Sequence, residues 1–126
     1  KKFDGELALS KLQQYFAEEN IGNALMEKSV FVGMGDLIRT EALYRAKIHP
    51  ESLVNNIPEK KLIFLIISAV NFADELVEHF KNDEVNSKAL IFEKKMCPKD
   101  KTEIQVAIST ETNRKIYICP KCQKLF

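Results

Sequence analysis

Three cysteines and one glycine-rich corner are the parts of this sequence best suited to chemistry. Met96-Cys97-Pro98-Lys99-Asp100 and Cys119-Pro120-Lys121-Cys122 form two similar knuckles around a stretch that reads as a single hairpin. Thiolates are soft ligands that suit zinc, and paired knuckles bracketing a hairpin are the layout of a zinc ribbon. The metal then replaces a core that so short a segment cannot build. Asp100 stands where a four-cysteine ribbon repeats cysteine, so the candidate ligands of one zinc are Cys97, Asp100, Cys119 and Cys122. Three thiolates with one carboxylate form an uncommon donor set. The alternative is a ribbon without metal, held by Ile104, Val106, Ile116 and Ile118. Neither His49 nor His79 lies near the knuckles in the sequence, and His79 reads as a solvated or helix-capping side chain.

The second feature is Phe31 to Pro50, FVGMGDLIRTEALYRAKIHP. Gly33 and Gly35 flank Met34, the pattern of a backbone that takes φ > 0 or lies against another surface with no Cβ in the way. A helix predicted over Asp36 to Ala46 follows at once. Its unpaired N–H groups and positive dipole end therefore face whatever touches the turn, which is a phosphate seat in physical terms. The alternative is an ordinary helix–turn–helix corner with glycine there for packing.

Around these features the sequence predicts helices first and a hairpin last. Leu7, Leu9, Leu12, Tyr15 and Phe16 fall at mostly helical intervals, and Asn20 with Gly22 reads as the stop. A short helix is expected from Asn23 to Lys28. In the Asp36 helix, Leu37, Ile38, Ala42, Leu43 and Ala46 make the buried stripe, with Arg39, Glu41 and Arg45 on the other side. Asn56 and Glu59 have the spacing of a capping box for the next helix, which runs to about Phe80. Its middle is apolar nearly all round, the mark of a helix buried by several others. Glu103–Ala107 and Arg114–Ile118 alternate like strands about a polar tip at Ser109–Asn113. The expected architecture is mainly α with a small β-hairpin, divided into a helical unit at 1–88 and a ribbon-like finger at 89–126.

At 126 residues the chain has room for one modest core and a small satellite. A formal charge of +1 means that any basic surface comes from local clustering, not from overall excess. No apolar run reaches the roughly 18 residues of a membrane span, and no secretory or lipidation signal is visible. Cysteine usage fits metal binding in a reducing, intracellular compartment better than a disulfide framework. The first residue is Lys1, which is the expected look of a fragment or processed piece.

Gly33-Met34-Gly35-Asp36, Glu41-Ala42-Leu43-Tyr44-Arg45-Ala46 and Ile48-His49-Pro50 together resemble the helix–two-turn–helix segment of the formamidopyrimidine-DNA glycosylase and endonuclease VIII (Fpg/Nei) family. There the pattern is close to V-x-G-[IV]-G-N followed by E-[AI]-L-[FY]-x-[AS]-x-I-x-P. Cys119-Pro120-Lys121-Cys122-Gln123 is similar to the last knuckle of that family's zinc finger, and the resemblance runs from about Leu9 to Gln123. It implies excision of oxidised bases from double-stranded DNA and cleavage of the abasic site, in the cytoplasm or nucleus. It also implies phosphate contacts at Lys28, Gly33, Gly35 and Asp36, and a hairpin arginine, matched here by Arg114, on the phosphate beside the flipped nucleotide. Outside the family, Arg114 reads as a solvated charge at the hairpin tip.

Three departures qualify what the resemblance implies. The family nucleophile is an N-terminal proline followed by a catalytic glutamate in an N-terminal β domain, whereas this chain opens Lys1-Lys2-Phe3. Schiff-base chemistry would then belong to a catalytic domain beyond this chain. Asp36 replaces an asparagine, and a carboxylate repels phosphate where an amide donates to it; Asp36 is instead suited to capping its own helix. Asp100 replaces a ligand cysteine. Two expectations therefore stand: the DNA-binding portion of a base-excision glycosylase, or a degenerate relative kept as a structural or protein-interaction module. A free-standing zinc-ribbon nucleic-acid binder is a third.

Overall fold

The computed structural model describes residues 5–27, 30, 35–80, 90–99, 101–108 and 115–126, with backbone alone for 76–80. Helix α1 spans Gly5–Tyr15 and buries Ala8 and Leu12, while Leu7 and Tyr15 stay exposed. Helix α2 is a single turn, Ile21–Ala24, shorter than the Asn23–Lys28 helix expected, and Lys28 lies outside the described residues. Asn20 opens this turn and does not close α1: its side-chain oxygen accepts the amide of Asn23 at 2.8 Å. Gly22 sits inside the same turn, not at a helix end. A Cβ there would meet Pro50 Cβ at 3.0 Å and the Pro50 carbonyl at 3.2 Å.

Helix α3 spans Asp36–Ala46, as the sequence predicts, and ends where Lys47 turns left-handed at φ 62°. A 3₁₀ turn, Val54–Asn56, leads to helix α4 at Glu59–Phe80. Asn56 belongs to that turn and does not cap α4. The Pro58 carbonyl instead accepts the first bonds of the helix, from Lys61 and Leu62 at 2.9 and 3.1 Å.

Leu12, Ile21, Leu25, Leu43, Leu62, Leu65 and Ile66 are all buried in one apolar cluster between α1, α2, α3 and α4. Helix α4 is not buried all round as expected. Ile63, Phe64 and Ile67 are 39, 51 and 49% exposed, because α1 and α3 cover one side of it among the described residues. The side chain of His79 lies outside the description.

Strands β1 (Gln105–Ile108) and β2 (Lys115–Ile118) pair antiparallel, with Val106 opposite Tyr117 and Ala107 opposite Ile116. Strand β2 is the one laid against α3, so Ile116 and Ile118 enter the helical core itself. Val106 faces outward and is half exposed, which removes it from the residues expected to hold the ribbon. After the hairpin the chain returns to α3. The Lys124 amide donates to the Lys47 carbonyl at 2.9 Å, and the His49 amide donates to the Lys124 carbonyl at 2.8 Å.

Candidate functional site

Each knuckle is closed by its own local hydrogen bonds. In the first, the Cys97 amide donates to the Thr102 carbonyl at 2.8 Å and the Lys101 amide donates to the Cys97 carbonyl at 2.9 Å, with Lys101 at φ 64°. In the second, the Gln123 side-chain oxygen accepts the Cys119 amide at 2.8 Å, and the Gln123 amide returns to the Cys119 carbonyl at 3.0 Å. These turns bring the sulfurs of Cys97, Cys119 and Cys122 within 4.8 Å of one another. Cys97 and Cys119 are buried and Cys122 half-buried, and none is in a disulfide.

The donor set fits a zinc ion. Zn–S bonds of about 2.3 Å in a tetrahedron put neighbouring sulfurs about 3.8 Å apart. Cys97 Sγ and Cys122 Sγ are 3.7 Å apart. Three thiolates held this close repel one another unless a cation lies between them. Asp100, the expected fourth ligand, lies outside the described residues.

Helix α3 is the mount for this centre, and it uses the side that the sequence pattern assigned to solvent. Glu41 is fully buried. One of its oxygens accepts the amide of Leu90 at 2.8 Å and the other accepts Ile91 and Phe92 at 2.9 Å each. A buried carboxylate is tolerable when amides saturate it in this way. It pins the segment that leads into the first knuckle. One turn further on, the Tyr44 hydroxyl lies 3.0 Å from Cys97 Sγ. Burial pushes the Tyr44 phenol up in pKa, and the hydrogen bond to Cys97 and the charge of the three thiolates push it further, so it keeps its proton. At the end of α3, the Gln123 side-chain amide donates to the Ile48 carbonyl at 2.9 Å and ties down the second knuckle.

Arg39 is also buried, where exposure was expected. Its guanidinium donates to the Gly22 carbonyl at 3.0 Å, to Asp36 Oδ1 at 3.1 Å and to the Lys115 carbonyl at 3.4 Å. One side chain thus joins α2, the start of α3 and the base of β2. The cause of both corrections is the ribbon and its lead-in, which fold back over the polar side of α3, with α2 completing the cover of Arg39.

The glycine corner ends at Gly35, which precedes α3 in extended backbone at φ −108° and ψ 177°, with no side-chain cap. Positive φ therefore does not explain glycine at this position. A Cβ on Gly35 would meet nothing within 4 Å, so Gly35 itself is not packed against protein among the described residues. Asp36 is the first residue of α3 and pairs with Arg39; the capping position belongs to Gly35. Of the remaining residues expected at the interface, Lys28, Gly33 and Arg114 lie outside the described residues.

The structure therefore brings the three cysteines together and places Gly35 and Asp36 side by side at the head of α3. Arg39, Glu41, Tyr44 and Gln123 were not singled out as site residues by sequence reasoning. Glu41, Tyr44 and Gln123 stand inside quoted motifs, but Arg39 carries no signal beyond a polar residue on a helix.

A profile of the family described as "Formamidopyrimidine-DNA glycosylase H2TH domain" matches residues 1–89. Among curated relatives, "Endonuclease 8-like 2" of Mus musculus is 30% identical over 98% of this chain and 37% of its own length. "Formamidopyrimidine-DNA glycosylase" of Lactobacillus helveticus is 28% identical over 99% of this chain and 49% of its own. This chain thus spans half or less of the length of the curated relatives it matches, between about a third and a half of these two. Among solved structures, the Lactococcus lactis formamidopyrimidine-DNA glycosylase bound to abasic-site DNA superposes with a TM-score of 0.85 at 26% identity, over 97% of this chain and 46% of that one. A viral DNA glycosylase superposes with a TM-score of 0.83 at 30% identity, over 97% and 47%.

Proposed function

The chain belongs to the formamidopyrimidine-DNA glycosylase H2TH-domain (Fpg/Nei) family, and from that premise we propose that it is the DNA-binding portion of a base-excision-repair glycosylase and abasic-site lyase. In this reading the backbone at Gly33 and Gly35 seats phosphates at the head of α3, with Lys28 beside it. Arg114 supplies a two-pronged guanidinium contact from the hairpin to the phosphate flanking the lesion. One zinc, held by Cys97, Cys119, Cys122 and Asp100, fixes the ribbon that carries the arginine. The nucleophile and its glutamate would belong to a catalytic domain outside these residues.

One observation carries the reading: Arg39 links the corner at Gly35–Asp36 to the carbonyl of Lys115, the residue after Arg114. The two elements expected to touch a sugar-phosphate strand are thereby clamped to one block. Arg39 also neutralises Asp36, which removes much of the repulsion that an aspartate at the corner would bring.

Titrating the chain into duplex DNA that contains an abasic-site analogue, at several salt concentrations, tests this. Affinity should fall with salt, and Arg114→Ala and Lys28→Ala should each reduce the slope of log K against log salt by about one. Salt-independent or absent binding overturns the reading. A second reading, a module that binds protein, is favoured by the exposed apolar residues Ile63, Phe64 and Ile67 on α4. Indifference to DNA of every sequence and salt would leave that one standing.

A further inference from the structure

The family assignment and the thiol cluster account for the ligands of the ribbon, but not for the phenol beside them. Tyr44 projects from α3, outside both knuckles, and its hydroxyl lies 3.0 Å from Cys97 Sγ in a buried setting. Glu41 sits one turn earlier on the same helix and fixes the segment entering the first knuckle, so the phenol and the sulfur are held from both sides. A buried hydroxyl usually finds a partner, and Cys97 Sγ is within reach of this one.

We propose that Tyr44 is a positioning residue of the metal centre: its hydroxyl donates a hydrogen bond to the Cys97 thiolate when zinc is bound. This rests on the zinc reading above. Once Cys97 has lost its proton its sulfur can only accept, so the bond must run from Tyr44 Oη to Sγ. The chemistry follows from where the electron density goes. A donated hydrogen bond draws on a sulfur lone pair, lowers its nucleophilicity and stabilises the thiolate that holds the metal. Three thiolates around one divalent ion already carry net negative charge, and a neutral donor offsets part of it without adding a ligand. Tyr44 thereby also couples the metal to α3, the helix whose first turn ends the glycine corner.

The test compares the wild-type chain with Tyr44→Phe, which keeps the ring and removes only the oxygen. Both are loaded anaerobically with Co(II) and, separately, with Zn(II). The wild type should show the intense sulfur-to-cobalt charge-transfer absorption and visible bands of a tetrahedral thiolate site. In Tyr44→Phe the charge-transfer band should move to longer wavelength, because the Cys97 lone pair rises in energy. Zinc affinity should fall about tenfold, the lower end of what outer-shell partners contribute, and thiolate alkylation of the zinc form should speed up.

A wild-type chain that takes up neither metal sinks the zinc reading and this proposal together. A wild type that loads normally, with a variant identical in band position, affinity and alkylation rate, overturns the role of Tyr44 and leaves the zinc site intact. Should Tyr44→Phe fail to fold, the wild type loaded with spin-active cadmium still decides. A scalar coupling between the Tyr44 hydroxyl proton and the metal, carried through sulfur, is expected, and its absence overturns the proposal.

Discussion

Helix α3 has two working flanks, and they are built by opposite means. The flank towards α4 is apolar: Ala42, Leu43 and Ala46 are buried against Leu62, Leu65, Ile66 and Ala69. The flank towards the ribbon is just as dry but polar, made of Arg39, Thr40, Glu41 and Tyr44. Apolar packing is tolerant of detail, since side chains of about the right volume can adjust to one another. A buried carboxylate with three amide donors has no such latitude, because each unmade bond leaves a desolvated group behind. The first flank holds the bundle together. The second fixes where the ribbon sits on it.

The sharpest way to break that comparison is at Glu41. Glu41→Ala strips the acceptors from the amides of Leu90, Ile91 and Phe92 and should destabilise the chain by about 3–5 kcal/mol, at the upper end for single substitutions. Glu41→Gln keeps one acceptor and should lose less. Urea unfolding with an unchanged m-value measures both. Metal affinity should fall with Glu41→Ala as well, because the entry to the first knuckle is released. Leu43→Ala, on the opposite flank, should cost about 3 kcal/mol through the cavity it leaves, yet leave metal affinity near wild type. Equal loss of metal from both variants would mean that the two flanks are not separable.

That asymmetry also explains what the sequence disclosed. The bounds of α3 and α4 were legible, because periodicity and the glycine and proline stops are local signals. So were the hairpin and the meeting of the three cysteines, whose spacing carries the geometry. The polar flank was not. Arg39 and Glu41 have the residue types of a solvated helix face, and only the return of a ribbon some fifty residues later turns that face inward. Asn20 and Gly22 misled for a related reason. Both belong to a one-turn helix too short for periodicity to reveal, and Gly22 is required by contact with Pro50, distant in the sequence. The open side of α4 escaped too, since composition cannot say how many neighbours an apolar helix has.

The glycines sharpen the contrast between residues that serve packing and residues left free for a ligand. Gly22→Ala drives a Cβ to 3.0 Å from Pro50 and should cost about 1–3 kcal/mol, the usual range for overpacking. Gly35→Ala meets no atom within 4 Å and should cost less than about 1 kcal/mol, chiefly through a poorer helix start. DNA affinity should reverse that order. If a phosphate lies against Gly35, the added methyl weakens binding while stability barely changes, and Gly22→Ala that remains folded binds like wild type. Thermal unfolding and fluorescence anisotropy on the same samples separate the two effects. Loss of binding that merely tracks stability would remove Gly35 from the interface.

The smallest effect is expected on the open face of α4, and it tests whether that face is free. Phe64 is 51% exposed, and a substitution at so exposed a position, away from caps and networks, usually changes stability by less than about 0.5 kcal/mol. Phe64→Ser should therefore leave the urea midpoint almost where it was, while removing part of an apolar patch that Ile63 and Ile67 continue. A loss above about 1.5 kcal/mol, comparable to burying a large side chain, would mean that Phe64 is covered in solution, and a dependence of that loss on protein concentration would identify the cover as a second copy of the chain. With no such loss, the outer face of α4 stands apart from both flanks of α3 and contributes little to the stability of the described residues.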